Sequence, residues 1–230
     1  MNIGQEKLKV ATYFDLDKIP FVENGEEIID ITQALPDCIC KYEKFDMIPY
    51  MGENLWARKT IADKLKKVSE SLQSKFPGFQ LKIVYGYRHP KIQEEYFLKQ
   101  KELLRKIYIS ASEKELDELT HSFVAVPSIA GHSTGGAIDL TITTPNGDLD
   151  MGTKIADFSN PLLIKTFSNQ ATDLQLSNRK LLHDLMVEQN FAPFYGEWWH
   201  FSFGDKEWAW FYDQPNAIFD QIELRKNASV

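Results

Sequence analysis

The chain has 230 residues, 43% hydrophobic, 26% charged and 13% aromatic, which is enough apolar content for one sizeable core and too much for a disordered chain. A formal net charge of −7 with no local run of Lys or Arg argues against nucleic acid as a partner, because phosphate binding needs a basic patch. No stretch approaches 18 apolar residues and the first residues lack an apolar signal core, so neither a membrane span nor a signal peptide is expected, and a cytoplasmic location follows by default.

Residues 1–53 carry several Pro and Gly and little periodicity, and predict an irregular N-terminal wrap with short strands on a main body of residues 54–230, the whole forming one domain. Within the wrap, Cys38 and Cys40 are poorly placed to bridge each other. Buried free thiols are the plain reading, with zinc ligation the alternative. From Asn54, residues Leu55, Ile61, Leu65, Val68, Leu72 and Phe76 recur at helical spacing until Pro77-Gly78 ends the run. Phe79, Leu81, Ile83, Tyr85 and Tyr87 then alternate with other residues, as in a half-buried strand that runs into Arg88. Pro90 suits the first turn of a helix reaching about Ile107. Ser112 and Glu115 form a capping box for another helix, ending near Phe123, with the charge run Glu113 to Glu118 as its solvated face.

Pro127 to Gly136 reads as a loop, and Ala137 to Thr143 as a strand closed by Asn146-Gly147. Asn178 is the expected cap of a last clear helix carrying Leu181, Leu182, Leu185 and Met186, with Asn190 ending it. Phe191 to Phe203 predicts one or two strands. Helices and strands mix without regular alternation, so the expected class is α+β with a largely antiparallel sheet.

Two segments carry the chemistry. GHSTGGAIDLTI contains His132 and Asp139, and GEWWHFSF contains Glu197 and His200. A catalytic zinc takes three protein ligands from imidazole nitrogen and carboxylate oxygen, which His132, Asp139 and His200 would supply. His132 lies in the Gly-rich loop, Asp139 on the strand after it, and His200 on a strand that could pair alongside. Glu197 and His200 are an odd offset apart, so they share a site only if Glu197 precedes its strand or a bulge re-aims it. In that arrangement zinc acidifies a water and polarises a carbonyl, Glu197 takes and returns the proton, and Arg88 offers a rigid positive charge to an oxyanion. Each residue also has a plainer reading: a loop or core histidine, an exposed carboxylate, a structural salt bridge. His89, His121 and His183 lack partners at useful spacing and read as surface or structural, His183 facing outward. Trp198, Trp199, Trp208 and Trp210 read as core and pocket wall, with an aromatic substrate platform as the alternative.

The segments together resemble zinc D-alanyl-D-alanine dipeptidases, relatives of the zinc D,D-carboxypeptidases. GHSTGGAID is similar to the family's S-x-H-x-x-G-x-A-x-D motif, GEWWHF to its E-x-W-H motif, and YGYRHP to the segment bearing its arginine. DMGT at Asp150 to Thr153 and NRKLLHDLM at Asn178 to Met186 are similar to the dipeptidase branch, and the match runs in order from about Leu81 to Phe203. The resemblance implies a zinc D,D-peptidase (hedgehog-like) fold, with a central antiparallel sheet flanked by helices. It implies one zinc per chain on His132, Asp139 and His200, Glu197 as base, and Arg88 as transition-state partner. It also implies a small closed pocket, a catalytic core over residues 54–230, and D-Ala-D-Ala or a related small dipeptide as substrate, in peptidoglycan and cell-wall chemistry.

Ala130 stands where the family has Ser, and Asp157 falls about one residue later than the family's Asp. In the family these positions help hold the substrate's ammonium group, so Asp157, with Trp198, is a candidate substrate contact. The alternatives are a carboxypeptidase on longer cell-wall peptides and a non-catalytic zinc-containing binding domain.

Overall fold

A computed structural model describes residues 10–224 of the chain. The segment expected as an irregular wrap with short strands alternates short strands and helical turns with irregular stretches such as residues 22–27, residues 1–9 lying outside the described residues. Helix α1 (Tyr13–Asp17) is closed by a reciprocal Thr12/Asp15 capping box. Strand β1 (Ile28–Asp30) runs into α2 (Ile31–Ala34), whose first amide groups donate to the Asp30 carboxylate. Strand β2 (Ile39–Cys40), a 3-10 turn (Phe45–Met47), α3 (Ile48–Met51) and β3 (Trp56–Arg58) follow. Ile31, Leu35, Tyr42 and Met47 from this segment are buried in the same core as the later helices and strands, which offsets the entropy of ordering a chain poor in regular structure. Cys38 and Cys40 are free and half-buried, and burial pushes the Cys40 thiol up to about 12.

Helix α4 (Lys59–Lys75) begins four residues after Leu55, the first residue of its expected run. Trp56 to Arg58 are taken into antiparallel pairing with β1, and the Leu55 amide donates to Thr32 Oγ1, so tertiary hydrogen bonds win over helical periodicity there. Strand β4 (Gln80–Tyr85), α5 (Pro90–Ile107) and α6 (Glu113–His121) follow, the last with both halves of the Ser112/Glu115 box in place. Strand β5 (Ala137–Thr144) turns at Asn146 into β6 (Gly147–Asp148). Helix α7 (Asp173–Glu188) starts earlier than expected, because Thr172 and Gln175 form its capping box. Asn178 lies inside it and donates to the Asp150 carbonyl. Asn190, at φ 59°, takes the left-handed conformation that ends the turn. Strands β7 (Ala192–Pro193) and β8 (His200–Ser202) precede α8 (Lys206–Phe211), a helix the hydrophobic pattern did not announce.

The main sheet has the order β2-β4-β5-β8-β7, with β6 pairing the far end of β5. Only β2 is parallel to its neighbour β4, so the mixed α+β class with a largely antiparallel sheet holds. Ile138, Leu140 and Ile142 of β5 are fully buried with Leu81 and Ile83, in one core with α4 and α7 residues Leu65, Leu72, Leu182 and Met186. Period two puts Asp139, Thr141 and Thr143 on the opposite face of β5. That polar face carries the site. Among the described residues, no helix is long and apolar enough to cross a membrane.

Candidate metal centre

Asp139 is in register with Tyr85 of β4 on one side and with His200 of β8 on the other. Direct cross-strand pairing brings the His200 Nδ1 to 3.0 Å from Asp139 Oδ1, and His132 Nε2 lies 3.4 Å from the same oxygen. His132 sits in a 3-10 turn, Gly131–Thr134, that ends on Gly135 at φ 75°, a conformation suited to Gly, and enters β5 two residues later. One ligand atom from each of His132, Asp139 and His200 lies within 4.8 Å of the others, so the three can hold one metal ion.

The donor chemistry fits zinc. The Gly86 carbonyl, 2.8 Å from His132 Nδ1, only accepts hydrogen bonds, so the ring proton belongs on Nδ1 and the Nε2 lone pair is left toward Asp139. Gly86 makes this approach possible, since a Cβ there would lie 2.5 Å from the Trp56 carbonyl oxygen. On His200 the roles reverse: Nδ1 faces Asp139 and Nε2 lies 3.6 Å from Glu207 Oε2. Burial disfavours charge on Asp139, but His132 and His200 outweigh it and hold the carboxyl well below the usual range. Burial likewise opposes the His200 imidazolium, yet Asp139, Glu207 and Glu197 raise its proton affinity. Three carboxylates converging on one imidazole make a potential that favours positive charge.

Glu197 answers the geometric question raised by its spacing from His200. It lies in the turn before β8, its amide donating to the Phe194 carbonyl and its carbonyl accepting from the His200 amide. The strand alternation therefore does not apply to it, and its side chain lines the same cleft as the three donors. Burial pushes its carboxyl up to about 7, Asp139 and Glu207 adding to the effect while His200 and Arg88 oppose it.

Arg88 does not end a strand as expected. β4 stops at Tyr85, and the chain then leaves β5: the Tyr87 amide donates to Trp56 and the Arg88 amide to the His132 carbonyl. The guanidinium still faces the cleft, held by Nη1 donating to Gln93 Oε1 at 2.8 Å and by the rings of Tyr85 and Tyr96, with centroid distances of 4.7 and 5.6 Å.

The two candidate substrate contacts fall elsewhere. Asp157 is exposed and accepts from the Ser159 amide, while Lys154, Ile155, Ala156 and Phe158 around it line the cleft. Trp198 is buried with its indole N–H on Thr153 Oγ1, and Trp199 is the neighbour that reaches the cleft. The reason is the same turn that carries Glu197, which sets the two indoles at 88° to one another. His183 is buried against Phe167 and Tyr195 rather than facing outward, and His89 is the buried N-cap of α5. His121 is buried on the cleft wall. The cleft measures 710 Å³ and reaches the surface at Leu103 and Lys154, so it is wider than the closed pocket that the resemblance implied.

Glu207 is the residue sequence reasoning missed. Seven positions separate it from His200, and they close only because the chain turns at Gly204, φ 78°, and Asp205 caps α8. The one local signal was that Asp cap, which placed a helix start but not its neighbour.

His132, Asp139 and His200 line one cleft together with Glu197 and Arg88, so a metal-binding donor set, a carboxyl group and a guanidinium share one wall. Residues 48–222 match the sequence profile of the peptidase family described as D-ala-D-ala dipeptidase, and the chain belongs to that family. A D-alanyl-D-alanine dipeptidase of Synechocystis sp. is 36% identical over 101 residues, covering 40% of this chain. The chain thus spans only 41% of the length of that relative. Among solved structures, the chain is similar to the LD-carboxypeptidase LdcB, with TM-score 0.47 and 20% identity over 86% of this chain and 76% of that one. It is also similar to a zinc(II) complex of a variant of the vancomycin resistance D,D-pentapeptidase VanY, with TM-score 0.39 and 15% identity over 71% of this chain and 81% of that one.

Proposed function

We propose that this chain is a zinc dipeptidase that hydrolyses D-Ala-D-Ala or a related small dipeptide. The observation that carries the reading is the strand register that sets Asp139 beside His200, with His132, Glu197 and Arg88 around one cleft, in a chain of this family. His132, Asp139 and His200 would hold one zinc ion per chain. When bound, zinc supplies Lewis acidity, acidifying water and polarising the scissile carbonyl. Glu197, with its proton affinity raised toward neutrality by burial, takes a proton from the attacking water and returns it to the leaving amine. Arg88 presents a permanent charge where the carbonyl oxygen becomes anionic. Glu207 orients His200 so that Nδ1 faces the donor group.

The 710 Å³ cleft favours a second reading, a carboxypeptidase on longer cell-wall peptides, because it has room beyond a dipeptide. The deciding experiment is zinc-loaded protein assayed on L-L, L-D, D-L and D-D Ala-Ala beside a pentapeptide ending in D-Ala-D-Ala. The dipeptidase reading expects the D-D dipeptide to be cleaved fastest. A pentapeptide cleaved faster than every free dipeptide would replace it with the second reading, and no cleavage of any peptide would sink both.

A further inference from the structure

We propose that Asp46 is a positioning residue for Arg88, acting through Tyr85 and Tyr96. The inference rests on the reading that Arg88 stabilises charge in the reaction. The guanidinium lies against both rings, a contact that attracts it but leaves it free to slide across the ring faces. One carboxylate holds both phenols. Tyr85 donates its hydroxyl hydrogen to Asp46 Oδ1 at 2.9 Å, and Tyr96 donates to Asp46 Oδ2. Tyr85 ends β4 and Tyr96 stands on α5, so the carboxylate ties together the two elements that flank the arginine. The Tyr85 oxygen in turn accepts from Arg88 Nε at 3.4 Å, completing a path from Asp46 to the guanidinium.

Asp46 has little else to do. Its ion pair with Lys44 is at the 4.0 Å limit, and Lys44 is half exposed. Its side chain is 15% exposed, and it stands in the 3-10 turn just ahead of the family match at residues 48–222. The other support of Arg88 lies within the match: Gln93, itself held by its Nε2 donating to the Ala125 carbonyl. The N-terminal segment thus contributes a residue behind the cleft wall, bonded to two tyrosines that line it. An aspartate suits the task because it is acceptor-only, with one oxygen for each phenol.

The test is a double-mutant cycle on zinc-loaded protein with the best dipeptide of the panel. Asp46→Ala should lower kcat about 10-fold or more, since ångström-scale misplacement of a charge is costly, and should move KM and zinc affinity much less. Asp46→Asn should give a smaller loss, and serves if the alanine variant fails to fold. In an Arg88→Ala background, Asp46→Ala should cost nothing further, because the group it positions is gone. Losses that multiply across the cycle, or full kcat in both folded Asp46 variants, would overturn the proposal while leaving the role of Arg88 intact. If Arg88→Ala alone keeps full kcat, the reading of Arg88 fails, and this inference with it.

Discussion

Arg58 and Arg179 are 2% and 0% exposed, and they commit every guanidinium nitrogen to the chain itself. Arg58 donates to the carbonyls of Thr134, Glu26 and Asp220 and to both carboxylate oxygens of Glu23, tying the N-terminal segment to the Gly-rich loop and to the C-terminal residues. Arg179 donates to the carbonyls of Met151 and Lys165, fastening α7 to the long loop before it. Arg88, in the cleft, is held by Gln93 and two aromatic rings, and among the described residues no hydrogen bond takes its Nη2. A buried guanidinium whose donors are all taken is a structural clamp. One held from the side with donor capacity left is set up for a ligand. The acids divide the same way: Glu23 is consumed by Arg58, whereas Glu197 lines the cleft with its proton affinity raised.

The sharpest way to break this contrast is at the cleft. Glu197→Ala should retain zinc and lose turnover by about 10²–10⁴-fold, as expected for a general base, whereas His200→Ala should lose both. Metal analysis beside kinetics checks it, and near-wild-type rates in Glu197→Ala would end the mechanism proposed here. Next comes the exchange of the arginines. Arg179→Leu strands the Met151 and Lys165 carbonyls, at a cost of about 3 kcal/mol and a fall in Tm of roughly 6–12 °C, with the folded fraction still active. Arg88→Leu should leave Tm nearly unchanged and lower kcat/KM by about 10²-fold or more. Equal thermal losses in the two variants would erase the distinction between clamp and cleft residue.

His121 tests the boundary, since it lines the cleft but accepts from the Val126 amide at Nδ1. Burial lowers its pKa from 6.5 to about 4, a backbone hydrogen bond with Ala11 opposing. The unfolded chain therefore binds this proton first as the pH falls. The stability from the neutral ring is complete above about pH 6.5 and is lost down to about pH 4, by up to ~1.4 kcal/mol per pH unit. Denaturant titrations should show this limb flattened in His121→Gln; an unchanged limb would mean that the ring is not held neutral. The smallest effect is expected at Glu207. Glu207→Gln should weaken zinc binding about 10-fold in chelator competition, with the Michaelis constant less affected. Unaltered zinc affinity would remove Glu207 from the set.

What could be read along the chain was whatever local chemistry decides. The Ser112/Glu115 box and Pro90 set helix starts correctly, because caps act within one turn. Period two placed Asp139 on the polar face of its strand, and the donor residues stood close to Gly-rich turns that bring them together. The errors lie where distant groups compete with local pattern. Trp56 to Arg58 were lost to strand pairing and Leu55 to a hydrogen bond with Thr32, Asn178 was bypassed by a better cap at Thr172, and His183 was buried by Phe167 and Tyr195. Trp198 and Asp157 are not among the cleft-lining residues, because a turn and a loop, with no periodicity to read, decide which side chain meets the cleft.

The sequence by itself thus determined the fold class and the family, and it named the two segments that carry His132, Asp139 and His200, since each segment is written in residue types at short spacing. The tertiary structure alone decided how Glu197 escapes its strand alternation, that Glu207 backs His200, and that Asp46, 42 positions before Arg88, reaches it through two tyrosines. Those contacts depend on sheet register and on how the N-terminal segment packs, and both are set by core burial summed over the whole chain rather than by any local run of residues.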